Sequence, residues 1–596
     1  MKALYSLKKN FLKYKGYLIG GVIFIVLSNL FAIFIPPIVR EAINAFVFVL
    51  EGKEAPAYLQ DILGKFSTAS QMALFFGGLI VGSAILKGVF MFFMRQTVIV
   101  MSRYIEYDLK NEIFNHYQQL GQSFYGKNYT GDLMNRISDD VSKVRDFAGP
   151  AVMYAINIFF MISMVVGMML YVNVEITLYT LIPLPILAIT IYLVSDTMNK
   201  RSDVIQRKLS GLTSFSQETF SGIHVLKAFA AEKNFERSFT ELTEDYKKSN
   251  MSLVKVNALF MPAVMGIVGL SVLITVYTGG MAVINGTFTV GNIAEYIIYV
   301  YMLTWPVASL GYITSLIQRA AASMTRINEF MSVKPMENNG TVTSNHLAKG
   351  IRFENVSFRY SPEDPVILKN VSFEIEAGKR FGIIGTTGSG KSTIAKLLMG
   401  IYSPTSGEIY VDDIPIADYD QNSLRDLFGY VSQDIFLFSD TIRNNILFGS
   451  HNQVSEEELQ EVIRMASLDR EISKFPEQLE TILGERGITL SGGQKQRTAI
   501  ARALIKSPDI LLIDDGLSAV DTKTEVSIKK ALSDVSRDST FINISHRISS
   551  LQDSHRIIFL DEGEIVESGS HAELLSAQGS YADLYQKQLK QEELAD

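Results

Sequence analysis

The sequence contains no cysteine among its 596 residues. This absence excludes disulfides, thiolate metal sites and a cysteine nucleophile, and it fits a reducing compartment. A basic balance is also missing, because 62 acidic residues outnumber 55 basic ones and the net charge is −7. Without a general basic surface the chain gives no signal for nucleic-acid binding, so we expect no nucleic-acid partner.

Charge is scarce in the first half of the chain, where long apolar runs predict membrane-spanning helices. A helix needs about 20 mostly apolar residues to cross a bilayer. Six segments meet this requirement: 17–39, 72–94, 148–171, 175–195, 257–284 and 290–316. The basic and then apolar N-terminus resembles a secretory signal, but its apolar run is too long and no small-residue cleavage site follows. We therefore expect an uncleaved first span and a multi-pass protein of a lipid bilayer.

The connections between these segments differ in length and in charge. Lys and Arg are absent from 172–174 and 285–289 but frequent in 96–147 and 196–256. The positive-inside rule then predicts that both termini and both long loops are cytoplasmic. The long loops have helical periodicity, so we expect helical arms that reach roughly 30 Å beyond the membrane. Their turns are predicted near 126–141 and 211–229.

Few charged residues lie inside the predicted spans. Lys87 falls in the second span and Glu295 near the outer end of the sixth. An ionisable group at membrane depth is by default a functional candidate. Each also has a structural reading, because Lys87 could snorkel or face a water-filled cavity and Glu295 could lie at the interface. Both readings stay open at this level.

The pattern changes after the sixth span. Residues 331–350 are polar and contain Gly, Asn and Pro, which is typical of a linker. Strand patterns with period two follow, and strand and helix signals then alternate to the end. We therefore predict a membrane all-α domain at 1–330, a linker at 331–350 and an α/β nucleotide-binding domain at 351–596.

A glycine-rich loop between an apolar strand and a helix predicts a nucleotide site. It has the form G-x-x-x-x-G-K-[ST]. Its residues are Gly385, Thr386, Thr387, Gly388, Ser389, Gly390, Lys391, Ser392 and Thr393. The glycines let backbone N–H groups turn toward phosphate, and the helix N-terminus favours an anion. Lys391 would reach the β- and γ-phosphates of ATP, and Ser392 would bind Mg²⁺.

Two further motifs complete this chemistry. The apolar run "PDILLIDD" predicts a buried strand with Asp514 at its tip, where it would bind Mg²⁺ directly or through water. The second motif, "LSGGQ", opens a helix with a hydroxyl and backbone N–H groups that suit a phosphate. Its residues are Ser491, Gly492, Gly493 and Gln494. One bound nucleotide does not need two such sites, so we interpret the second as serving a nucleotide on another subunit.

With these motifs in place, nearly the whole chain resembles the ATP-binding cassette (ABC) exporters, in their half-transporter form. The resemblance implies a second half-transporter, with the two ATPase domains paired head to tail around two ATP molecules. It also implies ATP-driven export or flipping of hydrophobic or amphipathic substrates by alternating access. Coupling helices are expected near 126–141 and 211–222.

The resemblance assigns roles to more residues. Tyr360 matches the aromatic that stacks on adenine, and Gln433 matches the glutamine that contacts Mg²⁺ and water. His546 matches the histidine that touches the γ-phosphate, and 518–521 match the loop that crosses the dimer interface. Ile482 departs from the pattern, because the family usually has an acidic residue there.

Asp515 is the main departure from the family, where this position is normally Glu and polarises the attacking water. Aspartate is shorter by one C–C bond, roughly 1.5 Å. A misplacement of about 1 Å can cost on the order of 100-fold in rate. We therefore predict a hydrolytically weak site at this chain's own phosphate loop, with the intact LSGGQ motif serving a partner's stronger site. The resemblance implies a heterodimer more than a homodimer, because exporters of this family that combine such a site with an intact LSGGQ motif are often one half of a heterodimer.

Alternatives remain at this level. The chain could form a homodimeric lipid flippase or exporter with slow ATPase activity, or an ATP-gated channel or sensor built from the same parts. A nutrient importer normally keeps its spans and its ATPase on separate chains. The sequence leaves the substrate open, and the missing organelle presequence favours a bacterial inner membrane.

Overall fold

The computed structural model describes residues 2–51, 68–336, 340–344, 346–516, 528 and 539–595. The chain divides into two compact units. One comprises Met1–Gln118 and Thr130–Val333, and the other comprises Gln119–Tyr129 and Lys334–Asp596.

The first unit is helical throughout its described part. It begins with a 3₁₀ turn at Lys2–Leu7, and two π-helical turns at Arg136–Asp140 and Phe147–Ala151 interrupt its third span. Its α-helices are α1 (Lys8–Lys13), α2 (Lys15–Ile33), α3 (Ile35–Glu51), α4 (Ala69–Gln119), α6 (Thr130–Asn135), α7 (Val141–Asp146), α8 (Val152–Val172), α9 (Val174–Leu181), α10 (Pro183–Ser221), α11 (Ile223–Ala228), α12 (Glu232–Ile284) and α13 (Val290–Met331), while α5 (Gln122–Lys127) belongs to the second unit.

Within the described residues, six helical segments are long and apolar enough to cross a membrane, as predicted. We number them spans 1 to 6: Lys15–Val49, Ala69–Gln119, Thr130–Val172, Val174–Ser221, Glu232–Ile284 and Val290–Met331. Span 1 runs ten residues past its predicted end because Pro36 and Pro37 lie in the first turn of α3. The first-turn N–H groups have no intrahelical acceptor, so prolines there start a helix instead of ending one.

Both arm reversals overlap their predicted positions only in part. The first occupies 120–129, around the start of the predicted 126–141, because α4 already ends at Gln119. The second occupies 222–231, around the end of the predicted 211–229, because α10 continues to Ser221. The polar residues that suggested a turn are accommodated inside α10: the Thr213, Ser216 and Thr219 hydroxyls each donate to the carbonyl four residues earlier.

The second unit contains two sheets. The first is antiparallel, with the order β2-β1-β4-β5, and the second has the order β10-β9-β3-β8-β7-β6. Strands β9, β3, β8, β7 and β6 run parallel, and β10 is an antiparallel edge. The strands are β1 (Gly350–Phe358), β2 (Leu368–Glu376), β3 (Arg380–Gly385), β4 (Ser406–Val411), β5 (Ile414–Pro415), β6 (Phe428–Val431), β7 (Ile510–Asp514), β8 (Thr540–Ile544), β9 (Arg556–Asp561) and β10 (Glu564–Gly569).

Helices cover these sheets and build a second core beside them. The helices are α14 (Lys391–Leu398), α15 (Gln421–Asp426), α16 (Ile442–Leu447), α17 (Glu456–Met465), α18 (Asp469–Ile472), α19 (Gly492–Leu504), α20 (His571–Ser576) and α21 (Ser580–Ala595). All five residues of β7 are buried, as expected for a central strand with both faces covered. Helices α16 to α19 pack around Ile446, Leu459 and Ile500 in a separate apolar cluster. This arrangement confirms the predicted fold class, a helical membrane domain joined to an α/β domain.

Candidate functional site

The predicted phosphate and metal residues lie at one edge of the parallel sheet. The glycine-rich loop follows β3, Asp514 ends β7, and His546 stands two residues beyond β8. Gln433 stands two residues beyond β6 and is exposed. Carboxyl ends of parallel strands share an edge, which is where open α/β sheets bind ligands. The topology therefore brings together four segments that are far apart in the chain, from Gly385 to His546.

Two glycines fix the shape of the loop. Gly385 has φ 157°, and a Cβ there would lie 1.9 Å from the Leu560 carbonyl oxygen. Gly390 has φ 100° and caps α14, and a Cβ there would lie 2.7 Å from a Leu368 methyl carbon. No side chain fits either position, so the backbone can follow this curl only with glycine.

Lys391 lies inside the loop. Its ammonium donates hydrogen bonds to the carbonyl oxygens of Gly385, at 3.0 Å, and Thr386, at 2.7 Å. Burial lowers the pKa of Lys391, and the charges of Asp515 and Asp514 act in the opposite direction. A buried cation therefore stands where a phosphate chain would meet the loop.

Ser392 and Asp514 are direct neighbours. Asp514 is buried, and burial raises its pKa, while a hydrogen bond from the Ser392 side chain lowers it. A carboxylate and a hydroxyl side by side are the oxygen donors that Mg²⁺ prefers, so these residues fit the ion. Among the described residues, no three acidic or histidine side chains form a metal cluster. Phosphate oxygens of a nucleotide and water would supply remaining ligands, as is usual for Mg²⁺.

Other loop residues are also arranged around a ligand. Within the described part of the chain no partner reaches the Ser389 hydroxyl, although it is buried. The Thr386 hydroxyl donates to Asp561 at 2.7 Å and ties the loop to the end of β9. Sequence reasoning missed Asp561, because the two residues are 175 positions apart.

Asp515 adopts an unusual backbone conformation. Its φ is 53°, in the left-handed region, and its N–H donates to the Ile544 carbonyl at 2.8 Å. Aspartate is among the few residue types that tolerate this region. The hydrogen bond to β8 therefore fixes the point from which the half-buried carboxylate extends.

Tyr360 has neighbours that the sequence did not indicate. Its hydroxyl lies 2.9 Å from the Thr393 hydroxyl, and its ring meets Tyr402 edge-on at 5.2 Å. The Lys396 ammonium lies 5.5 Å from the ring centroid. These contacts hold the ring beside the first turns of α14.

We expect Tyr360→Ala to weaken ATP binding about tenfold, because base–aromatic stacking contributes roughly 1–3 kcal/mol. Tyr360→Phe keeps the ring and removes only the hydroxyl beside Thr393, so its affinity should stay within about threefold of wild type. Equilibrium binding of a fluorescent ATP analogue measures both. Equal losses in the two variants would contradict stacking and assign the role to the hydroxyl.

The LSGGQ motif begins α19, which packs in the apolar cluster of α16 to α19, whereas the helix after the glycine-rich loop packs in the other core. Ser491 caps α19, and its hydroxyl accepts the Gln494 N–H while the Gln494 side chain accepts the Ser491 N–H at 2.9 Å. Ser491 and Gly492 are exposed, so the start of α19 faces outward. Gly493 and Gln494 are half-buried. The predicted interface loop, 518–521, lies outside the described residues.

Ile482, the departure in the "TILGERG" segment, is 65% exposed. Its backbone forms an isolated bridge with Thr441, next to α16. An exposed isoleucine offers an apolar contact where an acid would offer a charged one.

The candidate charges in the spans have different environments. Glu295 is fully buried: its carboxylate meets Arg40 at 3.0 Å and accepts the Tyr299 hydroxyl at 3.0 Å. Sequence reasoning missed Arg40, because it ended span 1 at residue 39. Lys87 is half-buried, and its carbonyl accepts the Ser28 hydroxyl at 3.2 Å.

A second ion pair ties span 3 to span 6. Asp140, 1% exposed, accepts a hydrogen bond from Arg326 Nε at 2.9 Å and from the Ser323 hydroxyl at 2.8 Å. A second Arg326 nitrogen also bonds this carboxylate. Bidentate pairs of this kind fix orientation as well as distance.

Comparison with known proteins gives matches over both units. The ABC transporter transmembrane region matches residues 18–307, and the ABC transporter family matches 368–518. The chain is 36% identical over 482 residues to the probable multidrug resistance ABC transporter ATP-binding/permease protein YheI of Bacillus subtilis, covering 80% of this chain and 82% of that protein.

Two further similarities extend over almost the full length. The chain is 30% identical over 574 residues to an ATP-dependent lipid A-core flippase of Shewanella frigidimarina, covering 96% of this chain and 95% of that protein. A solved structure of a bacterial Atm1-family ABC exporter with ATP bound aligns with a TM-score of 0.78 at 26% identity, covering 96% of this chain and 98% of that one.

Proposed function

The chain belongs to the ABC transporter family, and on this premise we propose that it is one half of an ATP-driven exporter or lipid flippase for hydrophobic or amphipathic substrates. It acts in a bacterial inner membrane, with both termini in the cytoplasm. The relatives named for multidrug resistance and for lipid A-core flipping support this substrate range. The bias of Lys and Arg toward 96–147 and 196–256 supports the orientation.

One observation carries the proposal: a single chain contains both six segments able to span a membrane and a parallel sheet whose carboxyl edge gathers the site residues. That edge gathers the glycine-rich loop, the Ser392–Asp514 pair and the positions of Asp515, His546 and Gln433. A triphosphate would lie with its β- and γ-phosphates on the loop N–H groups and on Lys391. The Mg²⁺ that accompanies ATP supplies charge neutralisation at the phosphate oxygens. Ser392, Asp514 and Gln433 would hold it there.

In this proposal, the spans alternate between two conformations that open the cavity to opposite sides of the membrane. ATP binding would close two nucleotide-binding domains, one from each subunit, and the arms would pass that movement to the spans. The arm turns at 120–129 and 222–231 would act as the coupling helices. Hydrolysis at the sheet edge would reset the cycle.

The ATP site at this chain's own loop is the hydrolytically weak one in this proposal. Because Asp515 is one methylene shorter than Glu, its carboxylate would lie too far from the attacking water. His546 would contact the γ-phosphate. The exposed Ser491 and Gly492 suit a nucleotide bound by another subunit. A partner with Glu at this position would make a heterodimer with one strong site, and a homodimer would have two weak sites.

Transport measurements in liposomes test the proposed function. We expect amphipathic substrates to stimulate ATP hydrolysis and to accumulate inside inverted vesicles, with both effects lost in Lys391→Ala. That variant removes the buried phosphate-binding cation. ATP-dependent ion conductance without accumulation of any amphiphile would contradict export and favour an ATP-gated channel.

Ser491→Ala separates binding from hydrolysis. We expect ATP binding to this chain alone to be unchanged, while ATPase activity of the dimer falls roughly 10- to 100-fold, because a lost hydrogen bond to a charged group costs about 1.5–3 kcal/mol. Ser455→Ala is the matched control, since Ser455 caps α17 with the same capping box in the same unit. Equal activity losses in both variants would mean that Ser491 acts only as a helix cap.

A further inference from the structure

A cavity of about 320 Å³ lies between α10 and α13, in the first unit. The two helices approach closely at Gly311, where a Cβ would lie 3.0 Å from the Ser195 hydroxyl oxygen. The cavity opens beside this contact. Its volume is at the lower end of the range for small-molecule sites.

The lining of the cavity changes from apolar to polar along both helices. On α10, Ala188 and Ile191 precede Ser195, Asp196 and Asn199. On α13, Val307 and Leu310 precede Thr314, Ser315 and Gln318. Both helices belong to even-numbered spans, so they cross the membrane in the same direction. The apolar ends therefore lie together at depth, and the polar ends lie together at the predicted cytoplasmic boundary.

This gradient matches the shape of an amphiphile. An apolar body would lie against Ile191 and Leu310, and a polar head would lie among the hydroxyls and amides. Tyr192, whose side chain is 71% exposed, adds an aromatic face at the mouth. An aromatic face and a carboxylate together favour a cation.

Asp196 sets the charge preference. Among the described residues that line the cavity, it is the one side chain that carries a charge at neutral pH. Its carboxylate is 48% exposed and lies 2.7 Å from the Lys200 ammonium, which is 76% exposed. An exposed pair of this kind is weak, so an incoming cation can take the place of Lys200.

We propose that this cavity is a subsite for the head of a cationic amphiphile, with Asp196 as its counter-ion. This inference rests on the proposed export function and specifies which substrates this half-transporter takes. The shared chemistry is a positively charged head on an apolar body. A lipophilic cation and the ammonium head of a membrane lipid both provide it.

Tetraphenylphosphonium and tetraphenylborate, which have the same shape and opposite charge, test the proposal. Binding is measured without nucleotide, with the full chain and its partner in phosphatidylglycerol nanodiscs. We expect tetraphenylphosphonium to bind more tightly than tetraphenylborate. Asp196→Asn should weaken the binding of tetraphenylphosphonium about tenfold. Asp196→Glu should restore it. Lys200→Gln should strengthen it several-fold, because the carboxylate loses its competing partner.

Asp203→Asn is the matched control, because it makes the same change on the same helix about 10 Å away, outside the cavity lining. Equal cation binding by wild type and Asp196→Asn, or equal losses at 196 and 203, would overturn the proposal. Added phosphatidylethanolamine that displaces the cation would identify a lipid head as the natural ligand; no displacement would identify a soluble cation.

Transport separates the two levels of inference. Binding through Asp196 without movement of either ligand across a liposome membrane would leave the subsite standing and refute the export function. Amphiphile export that does not respond to Asp196→Asn would refute the subsite and leave export standing.

Discussion

Replacing Asp515 by Glu should raise ATP hydrolysis on the order of 100-fold at this chain's own site. The added methylene moves the carboxylate roughly 1.5 Å toward the attacking water, and positional errors near 1 Å can cost about that factor. ATP binding should not change, because the loop, Lys391 and the Ser392–Asp514 pair are untouched. Single-turnover hydrolysis with the chain alone and with its partner measures the effect.

The same substitution should also lower stability. Asp515 has φ 53°, which aspartate tolerates better than glutamate. We expect the free energy of unfolding to fall by about 1 kcal/mol, measured as a lower melting temperature. Asp553→Glu, an exposed position in the same unit, is the control for the change of side chain. Unchanged hydrolysis in Asp515→Glu, with full activity of the chain alone, would contradict both the weak site and the heterodimer.

Replacing Arg40 by Gln should destabilise the membrane unit by about 3–5 kcal/mol, because it leaves a fully buried carboxylate without its countercharge. Arg40 meets Glu295 at 3.0 Å and Glu41 at 2.8 Å. Beside this pair, Asn44 accepts the Gly291 N–H at 3.0 Å. The Arg40–Glu295 pair therefore joins α3 to the start of α13.

The ranking of variants identifies the cause. Glu295→Gln should lower the free energy of unfolding by less than Arg40→Gln does, because Arg40 keeps its ion pair with Glu41. The double variant should lower it by less than the sum of the two single losses. Arg95→Gln, an exposed arginine of α4, is the control. Thermal unfolding of the purified protein gives all four values. Additive losses would show that the two side chains stabilise the unit independently.

The motifs that local sequence defines were predicted well. The family, the ATPase class, the six spans and the α/β domain are all confirmed. The glycine-rich loop could be found because its strand, its turn and its helix are contiguous. The meeting of Asp514 with Ser392 needed only the rule that carboxyl ends of parallel strands share an edge.

What the sequence missed depends on side chains that are distant in the chain. Glu295 gave a charge without its partner, because the first predicted span ended at residue 39, one residue before Arg40. The second arm turn begins later than the first residues of its predicted range, 211–229, because hydroxyl residues can either break a helix or bond back within it. Only the packing around 211–221 decides between these outcomes.

The assignment of Gln119–Tyr129 to the second unit has a consequence for biosynthesis. Its partners come much later: the Gln119 carbonyl accepts the Met336 N–H at 2.9 Å, and Lys127 donates to Ser361 at 3.3 Å. At ordinary translation rates of 5–20 residues per second, the ribosome needs roughly 10–40 s to bridge that interval. The segment must wait for Met336 and Ser361 while four more spans enter the bilayer. A fragment of the nucleotide-binding domain that starts at Lys334 would therefore lack Gln119–Tyr129, a segment of the same compact unit.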